Sequence, residues 1–286
     1  MTVNLIVQSP ALDLSLIDQA GALVQANGAR WISKSAASLL DVTQDAESEA
    51  LIKDWAAEKR VDIAFVEAAA RLADCKVLVM DMDSTLINIE CIDEIAAFAG
   101  LKAEVAAITE RSMRGEITEF ADSLRLRVGY LEGLDQSVLG KVYSERLELN
   151  PGAQKLIETA QQAGIKTMLV SGGFTFFTDR LKQRLELDAA HANVLETDSQ
   201  GKLTGRVSGP IIDAQGKADL LAAFAHKHGA KPEQIIAIGD GANDLKMLAN
   251  AHFAVAYRAK PVVQAQARFA LNHSGLDAVL NWFAKA

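Results

Sequence analysis

The chain has 286 residues, half of them hydrophobic and 23% charged, enough apolar material for one large core with a smaller unit beside it. A formal net charge of −8 argues against non-specific binding to nucleic acid or an anionic membrane, so an anionic ligand must meet local Arg, Lys, metal or backbone N–H groups. Two cysteines give no disulfide framework, the N-terminal stretch lacks the regions of a signal peptide, and no apolar run approaches the ~20 residues of a membrane span; a cytoplasmic protein with reduced thiols is expected.

Residues 1–74 read as a small α+β module, with strands near 3–7, 29–33 and 61–66 and helical patterns over 14–25 and 47–59. This β-α-β-α-β order resembles an ACT-like or ferredoxin-like module that has lost a strand. The module carries no phosphate loop, metal cluster or paired acids. It is expected to pack against the rest of the chain or to pair two copies into a homodimer, with serine binding as a regulatory alternative.

From residue 75 the organisation changes. Apolar runs at 77–80, 165–170, 235–238, 253–256 and 269–271 alternate with helical patterns at 153–163, 176–185, 217–228, 244–249 and 261–267. Such alternation predicts βαβ units and a mostly parallel, Rossmann-like sheet over 75–87 and 151–286. The interval of about 88–150 breaks the rhythm with four helical patterns and no strand, as expected of a helical cap over the strand ends. A turn signal at 198–201 predicts a β-hairpin within 194–212.

Four signals in this core carry chemistry. Asp81 and Asp83 follow the run at 77–80, where open α/β sheets bind ligands. Two acceptor-only carboxylates so close together need a cation or a reacting group to offset their repulsion. Taken alone, the stretch DMDST is equally readable as a helix cap. Ser171-Gly172-Gly173 follows the strand ending at Val170, and small residues there allow backbone to approach an oxyanion. Lys217 opens a helix after Gly216. Asp240 and Asp244 flank Asn243 in the glycine-rich GDGAND loop at 239–244, where a capping role explains Asp244 but not Asp240.

Together, DMDST, VSGG, Lys217 and GDGAND resemble, in order and context, the four motifs of the haloacid dehalogenase-like phosphohydrolases. The resemblance implies phosphoryl transfer through an aspartyl-phosphate. Asp81 is then the nucleophile and Asp83 the acid and base. Ser171, the Gly172 N–H and Lys217 hold phosphoryl oxygens. Mg²⁺ sits on Asp81, Asp240 and the Asp83 carbonyl, with Asp244 completing the acidic pocket.

The longer stretch DMDSTLINIECIDEIA, at 81–96, resembles the phosphoserine phosphatases, the enzymes of the last step of serine synthesis. On that resemblance Glu90 binds the substrate ammonium and Arg127 the carboxylate, with Arg125 a neighbour that spacing does not exclude. Asn243 is a further substrate contact, and Met113 and Phe120 are candidates for an apolar lid surface. Alone, Glu90 reads as a helix-start acid and Arg127 as a surface arginine. Phosphoserine has a chemical logic of its own: phosphate, carboxylate and ammonium need cationic, cationic and anionic partners. The alternatives are another small phosphomonoester and, from a different class, a non-catalytic amino-acid sensor.

Overall fold

The computed structural model describes residues 2–114 and 116–284, apart from the Met113 side chain. The chain opens with β1 (Val3–Gln8), α1 (Leu14–Leu23), β2 (Gly28–Ser33), β3 (Ala36–Leu40), α2 (Ala46–Lys59) and β4 (Asp62–Glu67). These strands form an antiparallel sheet in the order β2-β3-β1-β4. Asp13 and Asp45 cap α1 and α2 by accepting from Leu16 N and Ser48 N, each at 2.8 Å. No strand is missing from the module: β3 completes a β-α-β-β-α-β order. Its residues, Ala36-Ala37-Ser38-Leu39-Leu40, have no β-branched or aromatic side chain and so carry little local strand signal.

The sheet is apolar on both faces. Leu5, Val7 and Leu39 pack on Ile17 and Ile52 of the two helices. Ile6, Ala64 and Val66, from alternate positions, join the core that also holds Trp282 and Phe283.

The larger unit starts at β5 (Val77–Met80) and continues with α3 (Cys91–Phe98), α4 (Lys102–Met113), α5 (Phe120–Gly129) and α6 (Ser137–Glu145). Then come α7 (Ala153–Gln162), β6 (Lys166–Phe174), α8 (Thr175–Arg184), the hairpin β7 (Ala189–Thr197) and β8 (Leu203–Ser208), and α9 (Ala214–Lys227). It ends with β9 (Ile235–Gly239), α10 (Leu245–Leu248), β10 (Phe253–Tyr257), α11 (Pro261–Gln264) and β11 (Phe269–Leu271). The sheet order is β11-β10-β9-β5-β6-β7-β8, parallel except for β8.

Strand β5 is central and buried on both faces. Val77 and Val79 meet Leu221 and Phe224 below, while Leu78 and Met80 join the cluster above. The chain runs from β5 to β6 on one side, and β9 lies on the other. The C-terminal ends of these three strands therefore form a topological switch point.

The four cap helices α3–α6 leave and re-enter the core through two adjacent strands of backbone. Ile87 and Leu149 form a bridge, Asn88 N donates to Glu148 O at 3.0 Å, and Asn150 N donates to Leu86 O at 2.9 Å. The buried Asn150 amide also donates to the carbonyls of Thr85 at 2.8 Å and Ile87 at 2.9 Å. An Asn150→Ala substitution leaves those buried carbonyls without their donor. It is expected to destabilise the protein by about 1–3 kcal/mol, read as a lower urea midpoint at unchanged slope. An unchanged midpoint would contradict this role for the Asn150 amide.

Candidate active site

Strand ends place the acids. Asp81 leaves β5, Ser171 lies in β6, and Asp240 follows β9 directly. The turn after Asp81 is tight: the Asp81 Oδ1 accepts from Met82 N at 2.7 Å, and Ser84 takes a left-handed φ of 56°. Non-glycine residues adopt that region at a cost, and such strain gathers at functional sites.

Asp81, Asp240 and Asp244 each offer a carboxylate oxygen within 4.8 Å of the others. Lys217, fully buried, stands among them with its Nζ 2.7 Å from Asp81 Oδ1 and 2.7 Å from Asp244 Oδ1. Burial, reinforced by Asp244, lifts Asp81 well above the usual carboxylate range against the pull of Lys217. Burial and Asp244 likewise raise Asp240 to about 6. Burial works against the Lys217 charge too, but Asp244 and Asp81 outweigh it and its pKa rises. Three crowded carboxylates against one ammonium, all oxygen donors, suit a hard divalent cation.

Asp244 does more than contribute charge. Its Oδ2 accepts from Asp240 N at 3.1 Å and Gly241 N at 3.0 Å, so it also caps the loop. Both readings of Asp244 thus have a structural basis. Its side chain packs so closely over Gly239 that any Cβ there would lie 2.5 Å from Asp244 Cγ.

The Asp83 carboxylate lies outside this acid cluster. It accepts from Cys91 N at 2.9 Å and from the Ser171 hydroxyl at 3.3 Å. It stays within electrostatic reach of the cluster all the same, since Lys217 acts on its charge and its charge acts on Asp240. Burial raises its pKa against those hydrogen bonds.

A cavity of about 670 Å³ spans core and cap, lined among others by Asp81, Asp83, Glu90, Arg127, Gly172 and Asn243. Glu90 is reached by solvent through the cavity yet surrounded by protein atoms. Desolvation, with Asp83 adding repulsion, lifts it to about 7 although Ser84 donates to it at 2.7 Å.

Arg127 lies on the inward face of α5 with the buried Leu124 and Val128. Burial lowers its pKa, and Asp93, Glu90 and Asp83 oppose the shift. Arg125 instead reaches Asp122 at 3.0 Å on the exposed face. Phe120 also lines the cavity, and its ring lies over Gly172, where an added Cβ would come 2.8 Å from Cζ. The Met113 side chain falls outside the described residues.

Residues 78–249 match the family model described as haloacid dehalogenase-like hydrolase, with these acids at its strand ends. The chain belongs to that hydrolase family. Its relatives include a phosphoserine phosphatase from Polaromonas sp. that is 52% identical over 214 residues, 73% of this chain and 90% of the relative. Among solved structures, a HAD-family hydrolase from Salmonella enterica serovar Typhi superposes with a TM-score of 0.88 at 30% identity, covering 98% of both chains. A probable phosphoserine phosphatase from Vibrio cholerae, solved unliganded, gives 0.82 at 38% identity, covering 98% of this chain and 86% of that one.

Three supporting residues escaped the sequence reading. Thr85 donates to Asp240 Oδ1 at 2.8 Å, tying the β5 loop to the β9 loop. Asn193 donates to Gly172 O at 2.8 Å and accepts from Ile212 N at 2.8 Å, which fixes the Ser171 loop. Lys260 also lines the cavity, and its N–H reaches Asp240 O at 3.3 Å. Nothing in local sequence marks these partners, because each acts across a long chain separation.

Proposed function

We propose that this chain hydrolyses O-phospho-L-serine to L-serine and phosphate. The observation that carries the substrate reading is one cavity holding an inward arginine and a carboxylate beside the paired Asp81 and Asp83. Asp81 attacks phosphorus in line and the phosphoryl group passes to its carboxylate. Asp83 protonates the departing serine oxygen, then takes a proton from the water that cleaves the acyl-phosphate. Lys217, Ser171 and the Gly172 N–H offset charge on the phosphoryl oxygens. Arg127 binds the substrate carboxylate in a fork, Glu90 its ammonium, and Asn243 lies alongside. Mg²⁺ on Asp81, Asp240, Asp244 and the Asp83 carbonyl would supply the positive charge that lets two anions meet.

Purified protein is expected to release phosphate from phosphoserine, with Mg²⁺, at a kcat/KM far above that for phosphoethanolamine or glycerol phosphate. Equal rates across the three would leave a general phosphomonoesterase. No release from any would return the chain to a sensor.

Glu90 sets a pH dependence. Its free-enzyme pKa of about 7 means that the anion is lost as pH falls through that value. With phosphoserine, kcat/KM should fall by about tenfold per unit on the acid side, and Glu90→Gln should shift that limb to lower pH while raising KM. The stability effect has the opposite sense. A folded pKa raised above the unfolded 4.5 gives stability that is present below 4.5 and lost as pH rises through about 7. Glu90→Gln is therefore expected to raise the ligand-free Tm at pH 8. A lower Tm there would contradict the assigned strain.

A further inference from the structure

The N-terminal module reaches the acidic cluster through a continuous set of hydrogen bonds that begins at Asp62. This residue opens β4, which runs alongside β11 of the larger sheet, and it is only 3% exposed. Its carboxylate accepts from three successive backbone N–H groups just past β11: Asn272 at 2.7 Å, His273 at 3.1 Å and Ser274 at 2.7 Å. Burying a carboxylate costs several kcal/mol unless such donors satisfy it, so the segment and the acid hold each other in place.

The held segment leads onward. The Asn272 amide donates to Gln264 Oε1 at 3.0 Å, and the Gln264 amide donates to Ala259 O at 2.7 Å. Arg258 N donates to Leu271 O at 2.7 Å, closing the same loop from its other side. Lys260 N then donates to Asp240 O at 3.3 Å. Asp240 has its side chain in the acidic cluster and its carbonyl at the end of this chain of contacts.

We propose that Asp62 is a positioning residue for the acidic cluster: through Asn272, Gln264 and the backbone of Ala259 and Lys260 it sets the placement of the Asp240 loop. The small module is then part of the apparatus that prepares the cluster for a cation, not only a packing unit. This rests on the reading of Asp81, Asp240 and Asp244 as metal ligands.

The test is calorimetric titration of Mg²⁺ into the full-length wild type, Asp62→Ala, Gln264→Ala and the double variant, with Tm measured in EDTA. Each single substitution is expected to weaken Mg²⁺ binding about tenfold, and the double to weaken it no further, because both break one path. Gln264→Ala leaves the contacts of Asp62 itself intact, so it carries the test if Asp62→Ala fails to fold. A lower Tm with Mg²⁺ affinity within about twofold of wild type, or additive losses in the double variant, would overturn the inference. A wild type that does not bind Mg²⁺ would overturn the metal reading beneath it. Phosphoserine turnover does not enter the readout.

Discussion

Replacing Asp81 with asparagine is expected to lower phosphoserine turnover by at least about 10⁴-fold while leaving the protein folded. Asparagine is nearly isosteric but offers no carboxylate to attack phosphorus, so the reaction loses its nucleophile rather than one contact among many. The fold should not suffer. Asp81 is buried against Asp244, and its pKa stands well above the usual range, so removing its charge relieves repulsion. Lys217 keeps Asp244 as a partner at 2.7 Å. The Tm in EDTA should accordingly be no lower than that of the wild type. Loss of activity with a Tm lower by many degrees would mean that Asp81 is structural.

The second large effect is expected at Arg127. Arg127→Ala should reduce kcat/KM for phosphoserine by roughly 10²- to 10³-fold, since a desolvated charge pair is lost and the substrate carboxylate is left unpaired. Phosphoethanolamine lacks that carboxylate and should lose far less. Arg125→Ala should change neither substrate, because Arg125 is paired with Asp122 on the outer face of α5. Steady-state kinetics on both substrates with both variants decides the matter. Equal losses on the two substrates would remove the carboxylate assignment.

The pair of arginines also shows where sequence reading ends. Two residues apart on a helix, their side chains point to nearly opposite faces, so one must face inward and the other outward. The buried stripe of Ser123, Leu124 and Val128 puts Arg127 on the inward side. That stripe was present in the sequence, but its direction relative to the core was not.

The acids were legible for a different reason. Asp81 and Asp240 each follow a strand directly, with Asp83 and Asp244 a few residues beyond, so strand end and carboxylate are neighbours in sequence as well as in space. The four cap helices and the β7–β8 hairpin were legible through period and turn chemistry. By contrast, Thr85 meets Asp240 and Asp62 meets Asn272 across most of the chain, and a single polar residue carries no periodicity to announce such a partner. Strand β3 was hidden by its own composition, since alanine, serine and leucine say little about extended backbone.

The central claim is that the phosphoryl group of phosphoserine passes to Asp81. It is tested most directly by acid-quenching a single turnover and reducing the trapped acyl-phosphate with borohydride. Mass spectrometry then reads position 81. The account predicts homoserine at position 81 in place of aspartate, dependent on phosphoserine and absent from Asp81→Asn. Full turnover with no reduced residue at position 81, or with the reduction at Asp83 instead, would contradict it.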